Sequence, residues 1–162
     1  MTFFALALTC LAGCVQMPVQ PEKTQLQIRE FQTRTYDTTD TKMVMKAILN
    51  VLQDDGYMVK NANTELGLLT ATKEVDIENK GQALLLTLLA GKNAQYAKNS
   101  EIESTANVSE FGKQTKVRLN FQVKSYDNHG NVMEVKQIAD AKFYQEFFAK
   151  ADKGIFIQKQ KI

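Results

Sequence analysis

Residues 115–127, TKVRLNFQVKSYD, alternate apolar and polar side chains without a break. Val117, Leu119, Phe121 and Val123 point one way, and Lys116, Arg118, Asn120, Gln122 and Lys124 point the other. Successive side chains of a strand emerge on opposite faces, so this segment predicts a β-strand with one buried face and one wet face. That pattern belongs to an antiparallel sheet covered on one side only. The turn DNHG (127–130) folds the chain back into NVMEVKQI (131–138). Upstream, EIESTANVSEF (101–111) and the turn Gly112-Lys113-Gln114 complete a three-strand meander.

What covers the buried face is readable elsewhere. Met43, Val44, Ala47, Ile48, Val51 and Leu52 recur at helical spacing and predict a helix over 41–54. The cluster DTTD (37–40) supplies a cap before it, and Gly56 suits the left-handed residue just past its end. Residues 57–75 read as a hairpin turning at Asn63 to Gly67, and IREFQTRTY (28–36) reads as a strand. Asp140 caps a last helix carrying Phe143, Phe147, Phe148 and Ala151 toward Ile155. The expected order is β-α-β-β-(α)-β-β-β-α. That order gives an α+β, two-layer domain with a largely antiparallel sheet covered by amphipathic helices.

The first residues obey a different logic. Phe3 to Leu11 is an apolar run of signal-peptide length, too short for a membrane span of roughly 20 residues. Leu11-Ala12-Gly13 then lead without a gap into Cys14, the order of a bacterial lipobox. On this reading residues 1–13 are cleaved between Gly13 and Cys14. Cys14 then carries a diacylglyceryl thioether and an N-acyl chain. No other cofactor is expected. Residues 14–26 form the lipidated cysteine and tether, and 27–162 form one periplasmic domain. Such a domain of roughly 136 residues is long enough for a core without disulfide staples. No Lys or Arg precedes Lys23, so the expectation is that translation starts upstream of Met1. A plain secretory peptide or a buried apolar N-terminus is the alternative. Several acyl chains anchor essentially permanently, because each buried methylene contributes ~0.8 kcal/mol. Val15 and Gln16, rather than Asp, follow the cysteine and favour the outer membrane. Cys10 leaves with the leader, which excludes a redox or metal role for the pair.

Little else points to chemistry. The formal charge is +2, with Lys and Arg scattered rather than striped, so no nucleic-acid partner is expected. His129 is the sole histidine and sits in a turn without a Ser, Cys or second His to work with. Asp54 and Asp55 are adjacent at a helix end, not opposed across a substrate as paired acid and base carboxylates are. They read as a polar terminus, with Lys60 or Arg34 as salt-bridge partners. The phosphate-loop, dinucleotide, nucleophile-elbow and zinc-protease motifs are all absent from the sequence. No catalytic or metal residue is expected, and the chain does not read as an enzyme.

One segment stays open. ALLLTLLA (83–90) is apolar on every side, yet as a helix it spans only ~12 Å. Leu84, Leu85, Leu86, Leu88 and Leu89 must therefore be covered. They pack on the domain's own sheet, meet a protein partner or second copy, or dip into the membrane that the anchor holds nearby.

The stretches QTRTYDTTD, LNVLQDDGYMVKNANTELGLLTATKE and FYQEFFAKADKGIFIQKQKI resemble a group of small proteobacterial envelope lipoproteins with no established activity. The resemblance covers most of the chain after the leader and implies an envelope lipoprotein without supplying a site. To a lesser extent, a helix followed by LGLLTATK is similar to the small domains of the lipoprotein subunit of the outer-membrane β-barrel assembly machinery. That likeness concerns the fold alone. The combined expectation is a lipid-anchored, non-catalytic accessory or structural protein of a cell-envelope assembly, binding envelope proteins or itself. The alternative is a lipoprotein that shelters an apolar ligand between sheet and helices.

Overall fold

A computed structural model describes residues 23–76, 99–127 and 129–160. Helix α1 is Gln25–Phe31, strand β1 Thr33–Tyr36, and helix α2 Thr41–Asp54. Strands β2 (Met58–Asn63), β3 (Leu68–Asp76), β4 (Asn99–Phe111), β5 (Gln114–Tyr126) and β6 (Val132–Gln137) follow, and helix α3 is Ala141–Gln160. All pairings are antiparallel, in the order β1-β5-β4-β3-β2, with β6 also on β5. The domain is α+β and two-layered, as the sequence predicts.

Local signals explain most elements. Asp40 caps α2, its Oδ1 accepting the Met43 N–H at 2.8 Å. Gly56, at φ 82°, takes the left-handed turn after α2. Asp140 Oδ1 accepts the Phe143 N–H at 3.0 Å at the start of α3. The covered face of β5 is Val117, Leu119, Phe121 and Val123, each nearly or wholly buried. Opposite them on β4 lie Val108, Ala106, Ser104 and Ile102. Small Ser104 and Ala106 stand across from large Phe121 and Leu119, which levels the surface the helices pack on. Phe121 is the centre of an aromatic cluster. Its ring lies 4.9–5.8 Å from those of Phe143, Phe147, Tyr144 and Tyr57, all edge-on. On α2 the buried set also includes Met45, and on α3 Tyr144, both outside the stripes read from the sequence.

The N-terminal expectation needs correction. Residues 28–31 were expected to open a strand running to Tyr36, but they are helical and only Thr33–Tyr36 is strand. Thr24 and Gln27 form a reciprocal capping box, and Ile28 is buried on the inner side of α1. The helix therefore starts before residue 27, the point where the sequence reading began the domain. Residues 1–22 and 77–98 lie outside the described residues. Cys14 with its cleavage site and the Leu84–Leu89 segment fall there.

β1 and β6 share one edge of β5. β1 pairs with residues 115–118 and β6 with 122–126. Between them the ladder is bridged by the Leu119 N–H bonding Gln32 O and the Ile138 N–H bonding Phe121 O, both at 2.9 Å. The other sheet face carries the even-numbered residues of β5 and is polar throughout β5.

Candidate functional site

Three groups of polar side chains lie within or beside the apolar core. The first closes the gap between β1 and β6. The Phe121 N–H has no strand opposite it and donates instead to Tyr144 Oη at 3.1 Å. Gln32 Nε2 donates to the same hydroxyl at 3.1 Å and also to Asn120 Oδ1 at 3.2 Å. Gln137 Nε2, from the other side of the gap, donates to Asn120 Oδ1 at 2.7 Å. Burial pushes the Tyr144 phenol upward, against the opposing pull of the Phe121 N–H and Gln32 Nε2. The network completes the hydrogen-bond ladder across the gap, while Gln32 Oε1, buried in the same place, has no hydrogen-bond partner among the described residues.

The second group surrounds a cleft of about 230 Å³ at the C-terminal end of α2. Lys73 Nζ donates to Asp55 O at 2.7 Å and lies 5.6 Å above the Tyr57 ring. Lys150 bonds Asp55 Oδ1. Both cations sit where the helix dipole is negative and its last carbonyls lack intrahelical partners. Burial, then the Asp55 charge, raises the Tyr57 phenol far above its usual range. The cleft is thus a clamp tying α2 to β3 through Lys73 and to α3 through Lys150. Asp55 meets Lys150 and Lys73 rather than the Lys60 or Arg34 expected from sequence. Arg34 instead bonds Asp152 Oδ2 at 2.5 Å, and Lys60 reaches Met58 Sδ at 3.5 Å. The Asp152 carboxylate also faces Tyr36, whose phenol is raised by burial first and by that charge second.

The third group lines the open sheet face. Glu103 accepts from Lys124 Nζ at 2.7 Å and from Gln122 Nε2 at 2.5 Å. These two donors, Lys124 first, hold its carboxyl below the usual range. Tyr126 Oη donates to Glu101 Oε2 at 2.9 Å. Paired charges and amides on β4 and β5 make a hydrogen-bonding surface, with no nucleophile set beside a base.

His129 lies in the β5–β6 turn, exposed, its N–H bonding Asp127 Oδ1 at 2.8 Å. Among the described residues no three His, Cys, Asp or Glu side chains converge to hold a metal ion. None of the described helices is long and apolar enough to cross a membrane. No protein-family model matches the chain, and no curated protein matches it.

A fourth feature was not read from the sequence. Where the described chain begins, Lys23 Nζ donates to Ala139 O at 2.9 Å and lies 5.1 Å from the Phe31 ring centroid. Gln25 Nε2 reaches Gln137 Oε1 at 3.4 Å. The entry point of the chain is therefore pinned beside the end of β6. The one available signal was the Thr24-x-x-Gln27 capping box. Ala139 and Gln137 lie more than a hundred residues away and leave no local trace.

Proposed function

We propose that this protein is an outer-membrane lipoprotein, anchored by a diacylglyceryl thioether and an N-acyl chain on Cys14. Its periplasmic domain is a non-catalytic accessory or structural subunit of a cell-envelope assembly. The observation that carries the reading is the self-contained start of the domain. Thr24 Oγ1 accepts the Gln27 N–H, Gln27 Oε1 accepts the Thr24 N–H, and Lys23 is held to Ala139. The capping box closes that helix end locally, which suits a reading of Leu11-Ala12-Gly13-Cys14 as cut site and anchor. The filled aromatic cluster around Phe121 supports a role exercised at the surface rather than in an internal cavity. The resemblance to small envelope lipoproteins is consistent with this role.

The test is metabolic labelling with an alkyne-bearing palmitate, followed by membrane separation on a density gradient. The wild-type chain should take up label and sediment with the outer membrane. Cys14→Ser should take up none. In-cell crosslinking from the open sheet face then identifies the assembly. Label on the Cys14→Ser chain, or a soluble unlabelled wild type, defeats the proposal.

A further inference from the structure

We propose that the corner formed by the first turn of α1 and by β6 rests on the lipid surface that holds the anchor. The inference depends on the lipid anchor at Cys14. Leu26 lies about 200° around α1 from the buried Ile28 and so points away from the core. It is 76% exposed. From the Gln25–Gln137 contact β6 runs away from α1 and presents in turn Val135, Met133 and Val132, each more than half exposed. Four large apolar side chains are thus displayed along the edge that starts where the described chain enters the domain. Arg29, one turn after Leu26, adds an exposed cation at headgroup level, while Glu30 and Glu134 flank the patch.

The occupant follows from the length of chain leading in. Cys14 and Lys23 are nine residues apart, about 30 Å at full extension. A domain of this size is roughly 30–40 Å across. The tether therefore holds this corner within one domain width of the bilayer at all times. It also converts a weak contact into an intramolecular one at high effective concentration. A few apolar side chains with a neighbouring cation suit the boundary between headgroups and acyl chains.

The chain has no tryptophan, so a single introduced indole reports its own site alone. The full-length acylated protein is reconstituted into phosphatidylethanolamine–phosphatidylglycerol vesicles with brominated acyl chains. Leu26→Trp and Met133→Trp probe the corner. Leu66→Trp, in the β2–β3 turn at the diagonally opposite corner of the sheet, is the reference. Both corner probes should be blue-shifted and quenched at least twofold more than the Leu66→Trp protein. Equal quenching at all three sites, or none at the corner, overturns the inference when the mass shows an acylated Cys14. An unmodified Cys14 overturns the anchor itself and this placement with it.

Discussion

The Tyr144 hydroxyl accepts the Phe121 N–H at 3.1 Å, at the one place along β5 where the sheet edge passes from β1 to β6. A side chain from the helical layer thereby stands in for a missing strand residue. Tyr144→Phe keeps the ring and removes the acceptor, leaving a buried amide unpaired. The expected cost is about 2 kcal/mol. Urea unfolding followed by circular dichroism reads it as a lower midpoint at unchanged slope. A wild-type midpoint would show that the hydroxyl closes nothing.

Phe121 is wholly buried among four rings, whereas Phe156 on α3 is largely exposed. Phe121→Ala should cost about 3–5 kcal/mol through lost burial and the cavity left behind. Phe156→Ala should stay within about 0.5 kcal/mol of wild type. Parallel denaturant titrations separate the two.

Gly67 and Gly112 share a φ of 63° but not their surroundings. A Cβ on Gly67 would lie 1.9 Å from Val108 O, whereas one on Gly112 meets nothing within 4 Å. Gly112→Ala thus measures the left-handed backbone penalty alone, about 1–2 kcal/mol. Gly67→Ala adds a collision with β4 and should lose clearly more. Equal thermal shifts for the two variants would contradict the close approach of the β2–β3 turn to β4.

Stability should fall in alkali. Tyr36, Tyr57 and Tyr144 are all raised above the ordinary phenol value, chiefly by burial. The unfolded chain loses these protons near pH 10 while the folded chain keeps them. The resulting stability is complete below pH 10 and is lost as pH climbs through the folded values. Each phenol contributes a slope of up to about 1.4 kcal/mol per pH unit. Urea midpoints at pH 8, 9.5 and 11 should be level across the first pair and drop sharply at the third. A midpoint unchanged at pH 11 would place these phenols in water.

The elements legible in the sequence are those whose cause is local. The β5 alternation, the α2 stripe, the Asp40 and Asp140 caps and Gly56 each follow from a period or a single residue's chemistry. Residues 28–31 misled because Phe31 and the following threonines favour strands, while the Thr24–Gln27 box and the burial of Ile28 decide for helix. Tyr144 and Gln32 were missed as a pair because 112 positions separate them. Their meeting depends on β1 and β6 stopping short of each other, a matter of register that no spacing records. Salt-bridge partners were misread for the same reason. Asp55 and Lys150 meet only once α3 has packed beside the end of α2.

The mass of the N-terminal peptide of the membrane-extracted protein tests the anchor most directly. The expected peptide begins at Cys14, with a diacylglyceryl group on sulfur and an acyl chain on the α-amine. A peptide still containing the Gly13–Cys14 bond, or one beginning elsewhere with Cys14 unmodified, contradicts it.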